Sequence, residues 1–304
     1  MTAHDSAIAT GTIAVPGTAA PSVLRGTILA ALGVVAFSLT FPGTVWALDG
    51  FGPWSVTMTR LVLATALVGV ALAVLRVRPP ARKHWAGLAV VAAGVVIGFP
   101  LLTTLALTSS TTSHAAVVVG LLPLTTATYS ALRTGARHSR TFWAAALAGA
   151  GAVVAFTLSE GGGGLSVADL YLFGALLICA AGYGEGGRLA RTMPGWQVIG
   201  WALVLCLPIS VPGAILALSQ EPAELTGHTI AGLLWLAIGS QVLGLVVWYR
   251  GMALIGIGRA SQLQLAQPLL TLVWAVSLLG ESLAPAAPVT AIVVLACIAV
   301  TQRK

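Results

Sequence analysis

Apolar runs of about 20 residues recur along almost the whole chain, separated by short polar gaps. A run of that length matches the hydrocarbon thickness that a helix must cross in a bilayer. In lipid no water is present to satisfy backbone N–H and C=O groups, so each spanning segment has to pair its own. Continuous apolar runs do so as helices, whereas barrel strands would alternate apolar and polar positions. Of 304 residues, 58% are hydrophobic and 8% charged, a profile outside that of soluble globular domains. The sequence therefore predicts an all-α integral membrane protein.

Polar punctuation divides the runs into ten spans, near 26–47, 53–75, 85–107, 114–132, 142–158, 168–187, 197–218, 229–249, 258–279 and 285–301. Residues 1–22, rich in Ala, Thr, Gly and Pro without a basic segment ahead of an apolar core, read as a loose N-terminal tail. Cys179, Cys206 and Cys297 fall inside apolar runs, without metal-site or disulfide spacing, and read as packed or lipid-facing thiols.

The net charge of +7 would suggest nucleic acid if it formed a patch on a soluble face, but these residues sit in gaps between spans. Lys and Arg are retained on the cytoplasmic side during insertion. With the N-terminus inside, the inner segments collect Arg25, Arg76, Arg78, Arg82, Lys83, Arg133, Arg137, Arg140, Arg188, Arg191, Arg250, Arg259, Arg303 and Lys304. The outer gaps hold no Lys or Arg and collect Asp49, Glu160, Asp169, Glu221, Glu224 and Glu281. The pattern predicts a multi-pass protein of the cell membrane with both termini inside.

A shift of 145 residues superposes spans 3 and 4 on spans 8 and 9. Ala86, Gly87, Leu88, Ala92 and Gly94 fall on Ala231, Gly232, Leu233, Ala237 and Gly239. Pro123, Leu124, Thr126 and Gly135 fall on Pro268, Leu269, Thr271 and Gly280. Two repeats follow, 23–158 and 168–301, each of five spans; an odd number turns the second half upside down. Inverted repeats are a recurring design of secondary transporters, whose substrate site lies at mid-depth between the halves.

The strings Ser113-His-Ala-Ala-Val-Val-Val-Gly-Leu-Leu-Pro123 and Gly258-Arg-Ala-Ser-Gln-Leu-Gln-Leu-Ala-Gln-Pro268, with Leu279-Gly-Glu-Ser-Leu283, resemble the ten-helix EamA-type transporters of the drug/metabolite transporter superfamily. The resemblance covers about residues 25–301, and the aromatic amino-acid exporters are one branch it suggests. It implies export of amino acids or similar small amphipathic metabolites. One departure is visible: the family's Gly-Glu pair at the end of span 4 is Gly135-Ala136 here, whereas Gly280-Glu281 is intact.

Ionisable residues within spans are functional candidates by default, and two qualify. Arg60 lies about seven residues, about 10 Å, into span 2. From there its side chain can reach the interface, or its guanidinium can fork onto a substrate carboxylate. Glu185 lies about 24 Å along span 6 from Asp169, with Arg188 at i+3. It is either half of a local ion pair at the inner rim or a proton-coupling carboxylate.

A substrate cavity is expected from neutral polar groups that converge with aromatic ones: Thr40, Thr103, Thr104, Tyr129, Tyr183, Gln241, Gln264, Gln267 and Thr271, with Phe37, Phe41, Trp248 and Trp274. Interhelical hydrogen bonding is the competing role for such residues. Pro42, Pro123 and Pro268 should bend or break their helices, because each removes a backbone hydrogen bond.

No H-E-x-x-H, G-x-S-x-G or Walker motif is present, and His84, His114, His138 and His228 fall in gaps or at span ends. An enzyme, a metal site and a cofactor are therefore not expected. The predicted partners are the lipid bilayer and a small-molecule substrate, and a monomer suffices. Proton-coupled efflux of cationic drugs or quaternary amines is the alternative to amino-acid export; a channel or scaffold fits less well, since neither needs matched inverted halves.

Overall fold

The computed structural model describes residues 19–135, 139–160, 164–255 and 263–302. The tail through residue 18, the basic residues Arg137, Arg259, Arg303 and Lys304, His138, and the start of span 9 lie outside them. The described residues form eight helices long and apolar enough to cross a membrane and two shorter apolar ones. Spans 1 to 8 are Val23–Leu48, Pro53–Val74, Arg82–Leu107, Thr112–Arg133, Arg140–Glu160, Val167–Leu189, Gly195–Gln220 and Gly227–Gly251. Span 9 is Ala266–Leu279 and span 10 is Ala286–Gln302.

The packing is two-sided. Leu61, Leu88, Leu172, Leu203 and Leu236 are fully buried between helices, while Val70, Leu147, Leu177, Ile215 and Ile292 stand on the perimeter, each more than half exposed. In water such a perimeter would be an aggregation surface; in a bilayer acyl chains cover it. Cys179 and Cys206 are buried in the interior and Cys297 is half-buried. Close helix approach depends on small residues. Gly94 of span 3 meets Gly182 and the Ile178 carbonyl of span 6, where a Cβ would lie 2.4 Å from that oxygen.

The contacts between spans follow a twofold relation between the halves. Span 1 packs on span 8 as span 6 packs on span 3, and span 9 on span 1 as span 4 on span 6. Spans 2 and 7, 4 and 9, and 5 and 10 pair with their own counterparts. Local irregularities repeat as well. Span 3 widens into a π-helix over Ala92–Gly98 and span 8 over Trp235–Gly244, which overlap when shifted by 145. Gly135 and Gly280 end spans 4 and 9 in the left-handed region, at φ 68° and 66°. Only glycine adopts that conformation without strain, so the matched glycines are a requirement of the cap.

Three spans are interrupted near their middles. Span 1 turns at Leu39, span 4 at Gly120 and Leu121, and span 9 at Leu265. Pro42, Pro123 and Pro268 follow these turns by two or three positions. A proline has no N–H for the carbonyl four residues earlier, so Ser38, Val119 and Gln264 each lose an intrahelical partner. For Ser38 a replacement stands in reach: Thr271 Oγ1 of span 9 lies 3.0 Å from its carbonyl, and also 3.0 Å from the Gln267 carbonyl, so its one hydroxyl hydrogen serves both.

Candidate functional site

The interruptions and the two π segments surround one region of the interior. Span 1 presents Phe37, Thr40 and Phe41 there, on either side of its turn. Span 2 contributes Arg60, and span 3 contributes Val95, Phe99, Pro100 and Thr103 from its π segment and the turn that follows. Leu122 comes from the break in span 4 and Tyr183 from span 6. Ser240 and Gln241 come from the π segment of span 8 and Leu245 from the position just after it, and Gln264, Gln267 and Thr271 from the broken part of span 9. These residues enclose a cavity of about 80 Å³, room for a few water-sized groups. A second cavity of about 30 Å³ continues from it past Phe41, Gln264 and Thr271 to Pro123 and Pro268.

Polar contacts tie the lining across the halves. Thr40 Oγ1 and Ser240 Oγ share a hydrogen bond of 2.8 Å. Arg60, only 3% exposed, donates from one terminal nitrogen to Gln241 Oε1 at 2.9 Å. Its Nε has no hydrogen-bond partner among the described residues, and none of their ion pairs includes it. Arg60 is thus a cavity residue, not one that reaches to the interface: the neighbouring spans cover its stem, and its head points inward.

Ten residues anticipated from sequence line this cavity: Phe37, Thr40, Phe41, Arg60, Thr103, Tyr183, Gln241, Gln264, Gln267 and Thr271. Five others do not. Thr104 is buried one residue from Thr103, on another face of the helix. Trp248 packs edge-on against Phe37 at a centroid distance of 6.2 Å, inside a cluster with Ala30, Val34 and Ile255. Trp274 donates its indole N–H to Ser38 Oγ at 2.9 Å. Tyr129 lies against Gly184, filling the space a side chain there would take. Glu185 sits at the basic end of the bundle, with Arg188 Nε at 2.7 Å and Arg133 Nε at 3.8 Å. The i, i+3 spacing had offered that local ion pair as one of its two roles.

At the acidic end the outer-gap residues make contacts that link the halves. Glu281, after span 9, accepts from the backbone N–H groups of Thr112 at 2.7 Å and Ser113 at 3.0 Å, and from the Ser113 hydroxyl. Glu221, after span 7, accepts from Ser55 N–H at 2.7 Å and Trp54 N–H at 3.3 Å. Both carboxylates occupy helix N-termini, where unpaired N–H groups and the helix dipole favour an anion. His114 of span 4 pairs with Asp169 of span 6 at 2.6 Å and stacks on Phe156. The sequence offered these acids as topology markers; nothing in one sequence gives the partner of a residue 169 positions away.

Among proteins of known sequence, the model of the EamA-like transporter family matches residues 24–158 and 166–302. An uncharacterized transporter of Bacillus subtilis, YdeK, is 40% identical over 272 residues, which cover 90% of this chain and 95% of that one. An uncharacterized transporter of Haemophilus influenzae is 29% identical over 136 residues, 43% of this chain and 80% of its own. A solved crystal structure, 21% identical, shares the fold with a TM-score of 0.62 over 91% of this chain and 97% of that chain. With the family model matched once in each half of a ten-span helical bundle, the chain belongs to the EamA-like transporter family and is a multi-pass membrane transporter.

Proposed function

We propose that this transporter exports amino acids, or amphipathic metabolites of similar size, by alternating access through the central cavity between its two halves. The observation that carries this reading is the composition of the cavity wall. Phe37, Phe41, Phe99 and Tyr183 supply apolar and aromatic surface, while Thr, Ser and Gln side chains and one arginine supply a few polar groups. Both halves contribute, at the positions where helices are broken or widened, which is where inverted-repeat carriers hold their substrates. The cavity is narrow, about 80 Å³, and in this reading the halves part to load it. Loading and closure then become one motion.

In this reading the protein sits in the cytoplasmic membrane with its basic end inward and acts as a monomer, since one chain supplies the cavity. Transport is facilitated export without proton coupling. Glu185, the carboxylate considered for coupling, is held by two arginines away from the cavity. Efflux of cationic drugs is disfavoured by the same wall: among the described residues no Asp or Glu lines it, and the charged side chain they place there, Arg60, is positive.

The test is counterflow in liposomes containing purified protein, with labelled aromatic and aliphatic amino acids and a quaternary amine. Saturable amino-acid exchange, equal with and without a pH gradient and unchanged by Glu185→Gln, is the expected result. Exchange of the quaternary amine alone overturns the reading.

A further inference from the structure

We infer that Arg60 is the carboxylate-recognition residue of the transport site, and that a carboxylate, not an amino group, is the element the carrier requires of its substrate. The inference rests on the cavity being the transport site and narrows what that cavity takes.

Arg60 is almost completely buried on a membrane-spanning helix, and guanidinium does not lose its proton in proteins. A buried charge is tolerated when it is paired, yet no carboxylate among the described residues lies within ion-pair distance of this one. Among the described residues the carboxamide of Gln241 is its hydrogen-bond partner, and a neutral partner solvates the charge without cancelling it. Nε, directed along one edge of the fork, has no acceptor. The terminal nitrogen on that edge is Nη2, the one that donates to Gln241, and Nε is buried; a carboxylate docks there with two parallel hydrogen bonds, through Nε–H and the second N–H of Nη2, once the surrounding wall opens.

Gln241 completes the site. Because guanidinium only donates, the amide must turn its oxygen toward Arg60, and its NH₂ group is then available to a second acceptor. A carboxylate oxygen meets that need. Around this polar end stand the rings of Phe37, Phe41 and Tyr183, which suit an apolar body attached to the carboxylate. Among the described residues of the wall nothing acidic faces a substrate ammonium, which meets hydroxyl and amide oxygens and ring faces. An amino group is accommodated there, whereas the carboxylate is the missing counter-ion.

The experiment separates the two ends of the substrate. Detergent-purified wild type, Arg60→Gln and Gln241→Glu are titrated with phenylalanine, with 3-phenylpropanoate, which lacks the amino group, and with 2-phenylethylamine, which lacks the carboxylate. Binding is read from the rise in melting temperature. Expected is stabilisation of wild type by both carboxylates, with affinity at least about tenfold above that for the amine, the worth of one charge-assisted interaction. Arg60→Gln should lose that preference. Gln241→Glu, which supplies an internal counter-ion and keeps the fold without a new unpaired charge, should lose it too. Carboxylate binding that survives both substitutions, or an amine that binds as well as the acid, overturns the inference.

The failures are distinguishable. Binding of 3-phenylpropanoate through Arg60 with phenylalanine silent sustains this inference and overturns amino-acid export. Phenylalanine binding that is unchanged by either substitution does the reverse. If none of the three stabilises the wild type, both fall.

Discussion

The Glu281 carboxylate receives the backbone N–H of Thr112 at 2.7 Å, joining the end of span 9 to the start of span 4 across 169 positions of sequence. These are counterpart helices, so the bond lies where the two halves meet at the acidic end. Under the alternating access proposed above, opening of the cavity toward that end would separate spans 4 and 9 there.

Glu281→Gln should therefore weaken the closed state. Glutamine keeps one acceptor oxygen but sets an NH₂ group against one of the two N–H groups, so that charge-assisted bond is lost and the remaining contacts of Glu281 become neutral. The expected loss is about 1–2 kcal/mol, read as a lower melting temperature. A cysteine introduced at Thr103, in a background without Cys179, Cys206 and Cys297, should react faster with a membrane-impermeant maleimide from the acidic side in the Glu281→Gln protein. Unchanged labelling would show that the Glu281 contact only caps the helix.

Replacing Arg60 by methionine should stabilise the empty protein. Removing one member of a buried ion pair is destabilising because a lone charge remains, but here the lone charge is itself removed, and the flexible thioether fills most of its space. A gain of about 1–3 kcal/mol is expected in chemical or thermal unfolding without substrate. Loss of stability would mean that Arg60 has a counter-charge in the resting molecule.

The Thr271 hydroxyl, shared between the Ser38 and Gln267 carbonyls, stands where Pro42 has no N–H to offer Ser38. In wild type, Thr271→Val should cost about 1–2 kcal/mol, since it leaves a carbonyl unpaired in the interior. Pro42→Ala restores an N–H that can reach Ser38. In that background the cost of Thr271→Val should shrink to a few tenths of a kcal/mol. The melting temperatures of the four proteins give the coupling directly, and additive effects would dissociate the proline from the threonine.

The spans were legible because lipid leaves the backbone one economical solution and marks it with run length. The repeat was legible at Pro123 and Pro268, and at Gly135 and Gly280, because their backbone roles restrict the residue type. Arg60, Gln241, Gln264 and Gln267 stood out as polar groups that lipid would not tolerate. Aromatic residues were not legible in this way: Trp248, Trp274 and Tyr129 are equally at home in packing, and only neighbours decide. Ser240, Phe99 and Leu122 escaped notice because the π turns and the helix break that aim them inward leave no periodic signal. The Glu281 and Asp169 contacts were invisible for a different reason, since their partners are set by tertiary placement alone.

Gly87 and Gly232 occupy equivalent positions in the two halves yet should respond differently to alanine. A Cβ on Gly232 would lie 2.6 Å from the carbonyl oxygen of Gly43 and 2.7 Å from the amide nitrogen of Ala47, both backbone atoms of span 1. Neither can yield without moving a helix, and overpacking of this kind costs about 1–3 kcal/mol. On Gly87 the new methyl would meet the Arg188 side-chain end at 2.8 Å and Leu189 Cδ1 at 3.2 Å. Arg188 is more than half exposed and can swing aside. Alanine is also the better helix former by about 1 kcal/mol, which offsets the remaining crowding. Gly232→Ala should thus lower the melting temperature clearly while Gly87→Ala leaves it within a degree or two, about the effect of a few tenths of a kcal/mol. Equal destabilisation by the two would mean that span 3 lies as close to span 6 at Gly87 as span 8 lies to span 1 at Gly232, and that the twofold relation extends to backbone separation.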